Sequence, residues 1–510
     1  WVLATPPPPR PVPDVMPLSD TLFERLVDAG VGLLVGSPAS PLLHAIMHEV
    51  RKKADGALAV YSTTNDQASD FIADGFSRRN REDGRIAALL VDGAAPPAGL
   101  SGVGESLMDG SPMLVLVVAP WGGGNSDPIG MACARVLCKV ALDDAADHKG
   151  GTGFGSAIVP AAAAARDGAP SPVAVLLRPG APFAPPRSPI SSSPAPASLM
   201  DAQRLECEAV AKALRGAARP RLHLGLGAVA AAALALELAE TLGCVVSSTF
   251  SGKGVFPETH SLWLWPGVGV ALPPALRSVD RGCDIWLIVG AQMGELASAH
   301  YRWPENRKPT AAFHVDIDPA VPGANVKGAT PIVADAAAFL RGVLDALRAA
   351  GDVRPDSTAL SSNAALIRDA HAALAKEVAA EETAVRSIGD RWTSPSVLFR
   401  LLQQQLPDAT YVTDSGNSTT YGAEALRVVK GTRYMGPVNY SSVGFAVPAA
   451  IGAAIALSLQ GNLGSSEPSS CFSVACVESR ALRMTGPEIA GAVRARLPLI
   501  VVILSHGNLA

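Results

Sequence analysis

Along most of the chain, short apolar runs alternate with segments whose apolar residues recur every three or four positions. From Ser19, SDTLFERLVDAG reads as an amphipathic helix ended by Gly30, and VGLLVG as a short buried strand. Gly36, Ser37 and Pro38 then turn the chain into a second helical segment, PLLHAIMHEVRKK. RIAALLVDG and PMLVLVVAP are further buried strands. The rhythm returns from about Asp201 to Ala349, with strands in RLHLGLG, CVVSSTF, DIWLIVG and HVDIDP and a helix in AVAAAALALELAETLG. It returns again from Thr393, with strands in TYVTDSGN and PLIVVIL. Apolar strands separated by helices predict parallel sheets covered on both faces, hence an α/β fold of doubly wound domains.

The stretch Leu58 to Arg79 changes period in its middle. It opens as a β-branched, apolar run; after Thr64 the apolar positions are Ala68, Phe71, Ile72, Gly75 and Phe76, one face of a helix. Thr64 and Gln67 stand three apart at the changeover, a capping-box spacing that predicts the helix start. Asp66 then falls in the first turn, where exposed N–H groups and the helix dipole favour a carboxylate. On this stretch alone, Asp66 reads first as a simple helix-start acid.

Composition narrows the class. At 510 residues the chain is too long for one core, and three domains are the natural division. With 48% hydrophobic residues, 17% charged residues and a net charge of −4, it carries no nucleic-acid footprint. The longest nearly apolar segment, Ala446 to Leu459, is shorter than a bilayer span and contains Pro448, so no membrane span is predicted. The seven cysteines include no Cys-x-x-Cys pair; Cys133/Cys138 and Cys471/Cys476 fit no common zinc spacing, and a reducing intracellular compartment is expected. The start at Trp1 and the prolines that follow read as a trimmed terminus with an extended arm, compatible with an organelle, mitochondrion or plastid. His44 and His48 lie four apart on one helix, without the Glu of a His-Glu-x-x-His site, and are expected on a solvated face.

The boundaries follow from composition: a Pro-rich arm at 1–15, a first domain at 16–180, and a Pro/Ser-rich linker at 181–200. A central domain at 201–349, a helical connection at 350–392 and a third domain at 393–510 complete the division. In the central domain, Gly225-x-Gly227-x-x-Ala230 fits a relaxed dinucleotide fingerprint between strand and helix. The next strand ends in Ser and Thr rather than an acid, so no bound FAD or NAD is expected.

Several motifs point to one family. Asn65-Asp66-Gln67-Ala68, followed by Ala73-Asp74-Gly75-Phe76-Ser77-Arg78, resembles the His-Glu-Gln-Ala and Ala-Asp-Gly-Tyr-Ala-Arg signature of thiamine-diphosphate (ThDP) enzymes of the acetolactate synthase and pyruvate decarboxylase type. Asp109-Gly110-Ser111-Pro112 resembles that family's Asp-x-x-Pro, and Gly252 to His260 its middle domain. Gly436 to Gly452, with Ser441-Ser442-Val443-Gly444 inside it, resembles its cofactor-binding third domain. The resemblance implies pyrimidine-binding, central and diphosphate-binding domains, the last C-terminally incomplete.

It also implies roles. Asp66 takes the place of the activating Glu, which promotes deprotonation of the cofactor's thiazolium carbon so that a 2-oxo acid loses CO₂ or is joined to a second carbonyl compound. Val443 would wedge the cofactor into its bent shape, the Ser441 carbonyl would accept from its aminopyrimidine, and Gly416 would let backbone approach a phosphate. Mg²⁺ would hold the diphosphate through hard oxygen ligands. At that place the chain departs from the pattern: Glu478-Ser479-Arg480 stands on the family's Gly-Asp-Gly, so that Ser479 takes the ligand position, and Ser505-His506 stands on its Asn pair. Glu478 and Asn508 are shifted candidates, and Arg480 could meet a diphosphate directly. The loop Gly93 to Ala98 also lacks the family's Gly-Pro-Gly-x-x-Asn. Two readings follow: a diverged ThDP enzyme of impaired activity, or a non-catalytic relative serving as a structural or interaction subunit. In the family, carboxylate and cofactor domain come from different subunits, which implies a homodimer or higher oligomer.

Overall fold

The computed structural model describes residues 16–38, 40–54, 56–93, 100–119, 129–138, 140–145, 157–178, 201–303, 310–351, 357–387, 393–462 and 471–505. The arm at 1–15, the linker at 181–200 and residues 94–98 lie outside them, as do His506 and Asn508.

Three parallel sheets form in chain order. The first contains β1 (Val31–Gly36), β2 (Ala59–Ser62), β3 (Ile86–Asp92), β4 (Met113–Val118), β5 (Val140–Ala145) and β6 (Pro172–Arg178), in the order β2-β1-β3-β4-β6-β5. The second contains β7 (Pro220–Leu224), β8 (Val245–Ser248), β9 (Trp263–Pro266), β10 (Ile285–Val289), β11 (Ala311–Asp316) and β12 (Thr330–Val333), in the order β12-β11-β10-β7-β8-β9. The third contains β13 (Thr410–Thr413), β14 (Tyr434–Met435), β15 (Ser473–Glu478) and β16 (Leu499–Leu504), in the order β14-β13-β15-β16. These are the doubly wound α/β domains that the apolar rhythm predicts. The buried runs VGLLVG and MLVLVV match their strands because both faces of a parallel sheet are covered. A helix at Ser357–Ser387 lies between the second and third sheets in sequence.

The helix after β2 spans Asp66–Arg79, as its apolar spacing predicts, but its cap differs from the capping box expected of Thr64 and Gln67. Asn65 is the N-cap, and its Oδ1 accepts from Ala68 N–H at 2.8 Å. Thr64 is turned away to a partner in the third domain.

The first and third domains share one hydrophobic core. Leu33, Phe71 and Phe76 of the first lie in the same buried cluster as Val447, Ile451 and Ala475 of the third. The seam is the crossing of the Asp66–Arg79 helix with the Ala446–Asn462 helix. Small residues permit it: a Cβ on Gly75 would stand 2.6 Å from Ala449 Cα, and one on Gly452 2.7 Å from the Phe76 nitrogen. The central domain has its own core around Leu222, Trp263 and Phe339. It grips the third domain through Lys253, whose Nζ meets Glu258 at 2.7 Å and donates to the Leu426 carbonyl at 3.1 Å. Glu258 in turn accepts from Val428 N–H at 3.0 Å. The GKGVFPETH motif is therefore a joint between domains.

Among the described residues, no helix is long and apolar enough to cross a membrane. Among the described residues, no cysteine is joined in a disulfide.

Candidate active site

In open parallel sheets, ligands sit outside the carboxyl ends of the strands where strand order reverses. In the third sheet that point lies between β13 and β15. β13 runs into Asp414-Ser415-Gly416, and β15 into Glu478-Ser479-Arg480. Gly416 adopts φ +100° and precedes the helix Asn417–Ala425; a Cβ there would approach Glu478 Oε1 to 3.3 Å. Ser479 and Arg480 open the next helix, Ser479–Thr485, and both are exposed.

The loop before the Ala446–Asn462 helix closes over this place. Ser441 holds a left-handed backbone at φ +64°, rare for a side chain with a Cβ, and Gly444 another at +88°. Asp414 enforces this shape: its carboxylate accepts from the N–H groups of Ser415 at 3.0 Å, Gly444 at 2.9 Å and Ala446 at 2.8 Å. Burial nevertheless outweighs these bonds and raises its pKa to about 6. Ser441 Oγ pairs with Ser415 Oγ at 2.7 Å, and Thr485 Oγ1 donates to the Gly444 carbonyl at 2.9 Å. Val443 stays 40% exposed between these anchored residues. Gly416, Ser441, Val443 and Ser479 thus converge on one end of the third sheet.

Asp66 reaches this region from the first domain. It is half-buried at the first position of its helix. Two residues earlier, Thr64 donates both its N–H, at 2.8 Å, and its hydroxyl to Glu488 Oε1. Glu488 is buried, and the sequence reading assigned it no part; the signal available was only its place after Met484-Thr485. One turn beyond Asp66, Asp70 is fully buried, and burial together with Asp66 holds its carboxyl well above the usual range. The resemblance expects the carboxylate and the cofactor domain from different subunits; here these contacts join domains of the same chain.

Behind the cleft lies a buried charge cluster. Arg78 pairs with Asp74 at 2.7 Å and with Asp109 at 2.7 Å, and donates to the Gly436 carbonyl at 3.3 Å. Asn439 donates to Asp109, and Ser442 N–H donates to Glu105 Oε2 at 3.2 Å. Glu105 is fully buried; burial and then the neighbouring Asp109 raise its pKa to about 8.

The metal side is poorer. Among the described residues no group of three His, Cys, Asp or Glu side chains could hold an ion. Ser479 offers a hydroxyl where a carboxylate is expected, and the carboxylate of Asp414 is occupied by three backbone donors. Glu478, the shifted candidate, stands at this strand end with its Oε1 3.3 Å from where a Cβ on Gly416 would lie. His44 and His48 stack at 6.3 Å on an exposed helix face, without a third ligand.

The Gly225 and Gly227 pattern has a packing cause. Leu226–Ala231 is a 3₁₀ turn, and Cβ atoms at the two glycines would strike Gly290 and Ala291. A cavity of about 730 Å³ does open beside it, lined by Leu226, Gly227, Gly290, Asp316 and residues of the other two domains.

Three family models match the chain: the thiamine pyrophosphate enzyme N-terminal TPP binding domain over residues 16–121, the central domain over 207–343, and the C-terminal TPP binding domain over 414–510. Among curated proteins, an acetolactate synthase of Mycobacterium avium is 26% identical over 59% of this chain and 45% of its own length. A probable acetolactate synthase large subunit of Methanocaldococcus jannaschii is 25% identical over 86% of this chain and 73% of its own. A sulfoacetaldehyde acetyltransferase of Rhodobacter capsulatus is 30% identical over 51% and 46%. For the first and third of these relatives, the match spans under half of the relative's length. With all three domain models matched in order on three parallel sheets, the chain belongs to the thiamine-diphosphate-dependent enzyme superfamily.

Proposed function

We propose that this chain binds ThDP between its first and third domains and acts on 2-oxo acids, as a diverged decarboxylase or carboligase of the acetolactate synthase or pyruvate decarboxylase type, with weakened anchoring of the diphosphate. The observation that carries this reading is the strained Ser441–Gly444 loop, held open with Val443 exposed, facing the domain whose helix starts at Asp66. Bound there, the cofactor supplies the electron sink for loss of CO₂ from a 2-oxo acid. The chain supplies position and charge. Asp66 would hold a proton at a ring nitrogen of the pyrimidine, the Ser441 carbonyl would accept from the exocyclic amine, and Val443 would prop the bend. Gly416 would leave room for the diphosphate. Asp is one methylene shorter than Glu, a reach deficit of about 1 Å, which can cost roughly a hundredfold in rate. A homodimer or higher oligomer is part of this proposal.

The exposed Ser479-Arg480 pair, with no three-ligand metal group among the described residues, favours a second reading. In it the same scaffold serves without catalysis as a subunit of a larger assembly. Calorimetric titration with ThDP, with and without Mg²⁺, separates the two. Micromolar binding supports the first reading, and Asp66→Ala should then abolish turnover of 2-oxo acids. No binding at millimolar cofactor leaves the second.

A further inference from the structure

Glu105 presents a problem of charge. It is fully buried on the helix Leu100–Met108, yet its cation neighbour Arg78 already pairs with Asp74 and Asp109 at 2.7 Å and stands 4.0 Å from Glu105. A third acid around one guanidinium is costly to bury, and an apolar side chain would avoid the cost. What Glu105 does make is a bond to another domain: its Oε2 accepts the N–H of Ser442. Ser442 sits beside left-handed Ser441 and next to Val443, in the loop that shapes the cleft. The third domain's own anchor, Asp414, takes the N–H groups of Gly444 and Ala446 but not that of Ser442. One end of the loop is thus fixed from within the third domain, and the other from the first.

We infer that Glu105 is a positioning residue: from the first domain it fixes the strained Ser441–Gly444 loop of the third, so that the loop takes its cofactor-ready shape only when the two domains are docked. The assignment of the loop to ThDP rests on the function proposed above; the fixing of the loop does not. Among the described residues, the groups that face Glu105 are Arg78 and Asp74 on the Asp66–Arg79 helix, Asp109 in the turn after its own helix, and the uncharged Ser442 from the third domain.

The test is hydrogen exchange by mass spectrometry on the full-length protein without cofactor, following the peptide at 436–446. Glu105→Ala should speed exchange there roughly tenfold or more, because the acceptor of the Ser442 N–H is lost. Exchange in β13 and in the Ser357–Ser387 helix should stay as in the wild type. Glu105→Gln keeps an acceptor and should restore protection. In the wild type, protection of this peptide, corrected for intrinsic rates, should rise as pH passes through about 8, since the ionised carboxylate is the stronger acceptor. In Glu105→Gln that rise should shrink, leaving what Asp109 contributes through Asn439. Unchanged exchange in Glu105→Ala, a uniform rise across all peptides, or an unaltered pH dependence in Glu105→Gln would each overturn the inference. ThDP titration of the wild type judges the cofactor reading separately.

Discussion

The crossing of the Asp66–Arg79 and Ala446–Asn462 helices offers a sharp test, because a small change should act with the opposite sign to its usual effect. At an open helix interior, Gly→Ala stabilises by about 0.5–1 kcal/mol through reduced backbone freedom. At Gly75 a Cβ would lie 2.6 Å from Ala449 Cα, and at Gly452 2.7 Å from the Phe76 nitrogen. Ordinary carbon contacts need about 3.5–4.0 Å, so the helices would have to part by about 1 Å. The obstacles are backbone atoms and cannot rotate aside. Overpacking of this kind costs about 1–3 kcal/mol, enough to cancel the propensity gain and leave a net loss. Parting the helices also moves Asp66 relative to the loop that leads into Ala446. Gly75→Ala and Gly452→Ala should therefore lower the thermal midpoint and weaken ThDP binding together. A midpoint at or above the wild type for both variants would refute the close crossing and with it the shared core of the two domains.

Other perturbations address the remaining joints. Glu488→Ala should leave Thr64 unheld and cost about 1–3 kcal/mol in denaturant unfolding, with Glu488→Gln losing less, since its amide oxygen still accepts. Lys253→Met should destabilise by about 3–5 kcal/mol, because Glu258 would be left buried without its cation. The Lys253→Met/Glu258→Met double variant should melt closer to the wild type than Lys253→Met does. Asp414 has a raised folded pKa, so its contribution to stability is fully present below its unfolded value near 4 and is lost as pH rises to about 6. Asp414→Asn should flatten the stability profile across that window in urea titrations from pH 3.5 to 7.

The sequence made the strands legible because a parallel sheet covered on both faces demands uninterrupted apolar runs, and these stand out in VGLLVG or IWLIV. It also singled out Gly416, Ser441, Val443 and Ser479, which lie near one sheet end because each follows a strand or precedes a helix in a motif of fixed spacing. What it could not show was pairing between distant segments. Thr64 looked like a cap because local spacing allowed it, yet its partner is Glu488 and the cap is Asn65. Asp109 was legible only as the start of an Asp-x-x-Pro motif, and Glu105 carried no signal at all. Their burial against Arg78 and the 436–442 segment depends on docking of whole domains, which no local period encodes. Lys253 and Glu258 were read as a mark of the fold, and only the contact with residues 426–428 gives them a task.

The two sides of the cleft differ in how tightly the chain determines them. On the pyrimidine side, the Ser441–Gly444 loop is tied by Asp414, Ser415, Thr485 and Glu105, and the helix start at Asp66 by Asn65 and Glu488. Removing Asp414, Thr485, Glu105 or Glu488 strands a backbone donor or acceptor at a buried or half-buried place and costs stability. On the diphosphate side, Ser479 and Arg480 are exposed at the start of a short helix, where a substitution typically changes stability by no more than about 0.5 kcal/mol. In the function proposed above, metal anchoring can therefore be lost there with the fold intact, whereas the Ser441–Gly444 loop cannot be dismantled without loosening the seam between domains. This asymmetry makes Ser479→Asp the informative restoration. If the rest of the cleft is competent, the added carboxylate should strengthen ThDP binding only when Mg²⁺ is present and leave the melting temperature nearly unchanged. A variant that binds no better with Mg²⁺ than without it would show that the deficit is not confined to the metal side, and the reading of a ThDP cleft with one weakened anchor would fail.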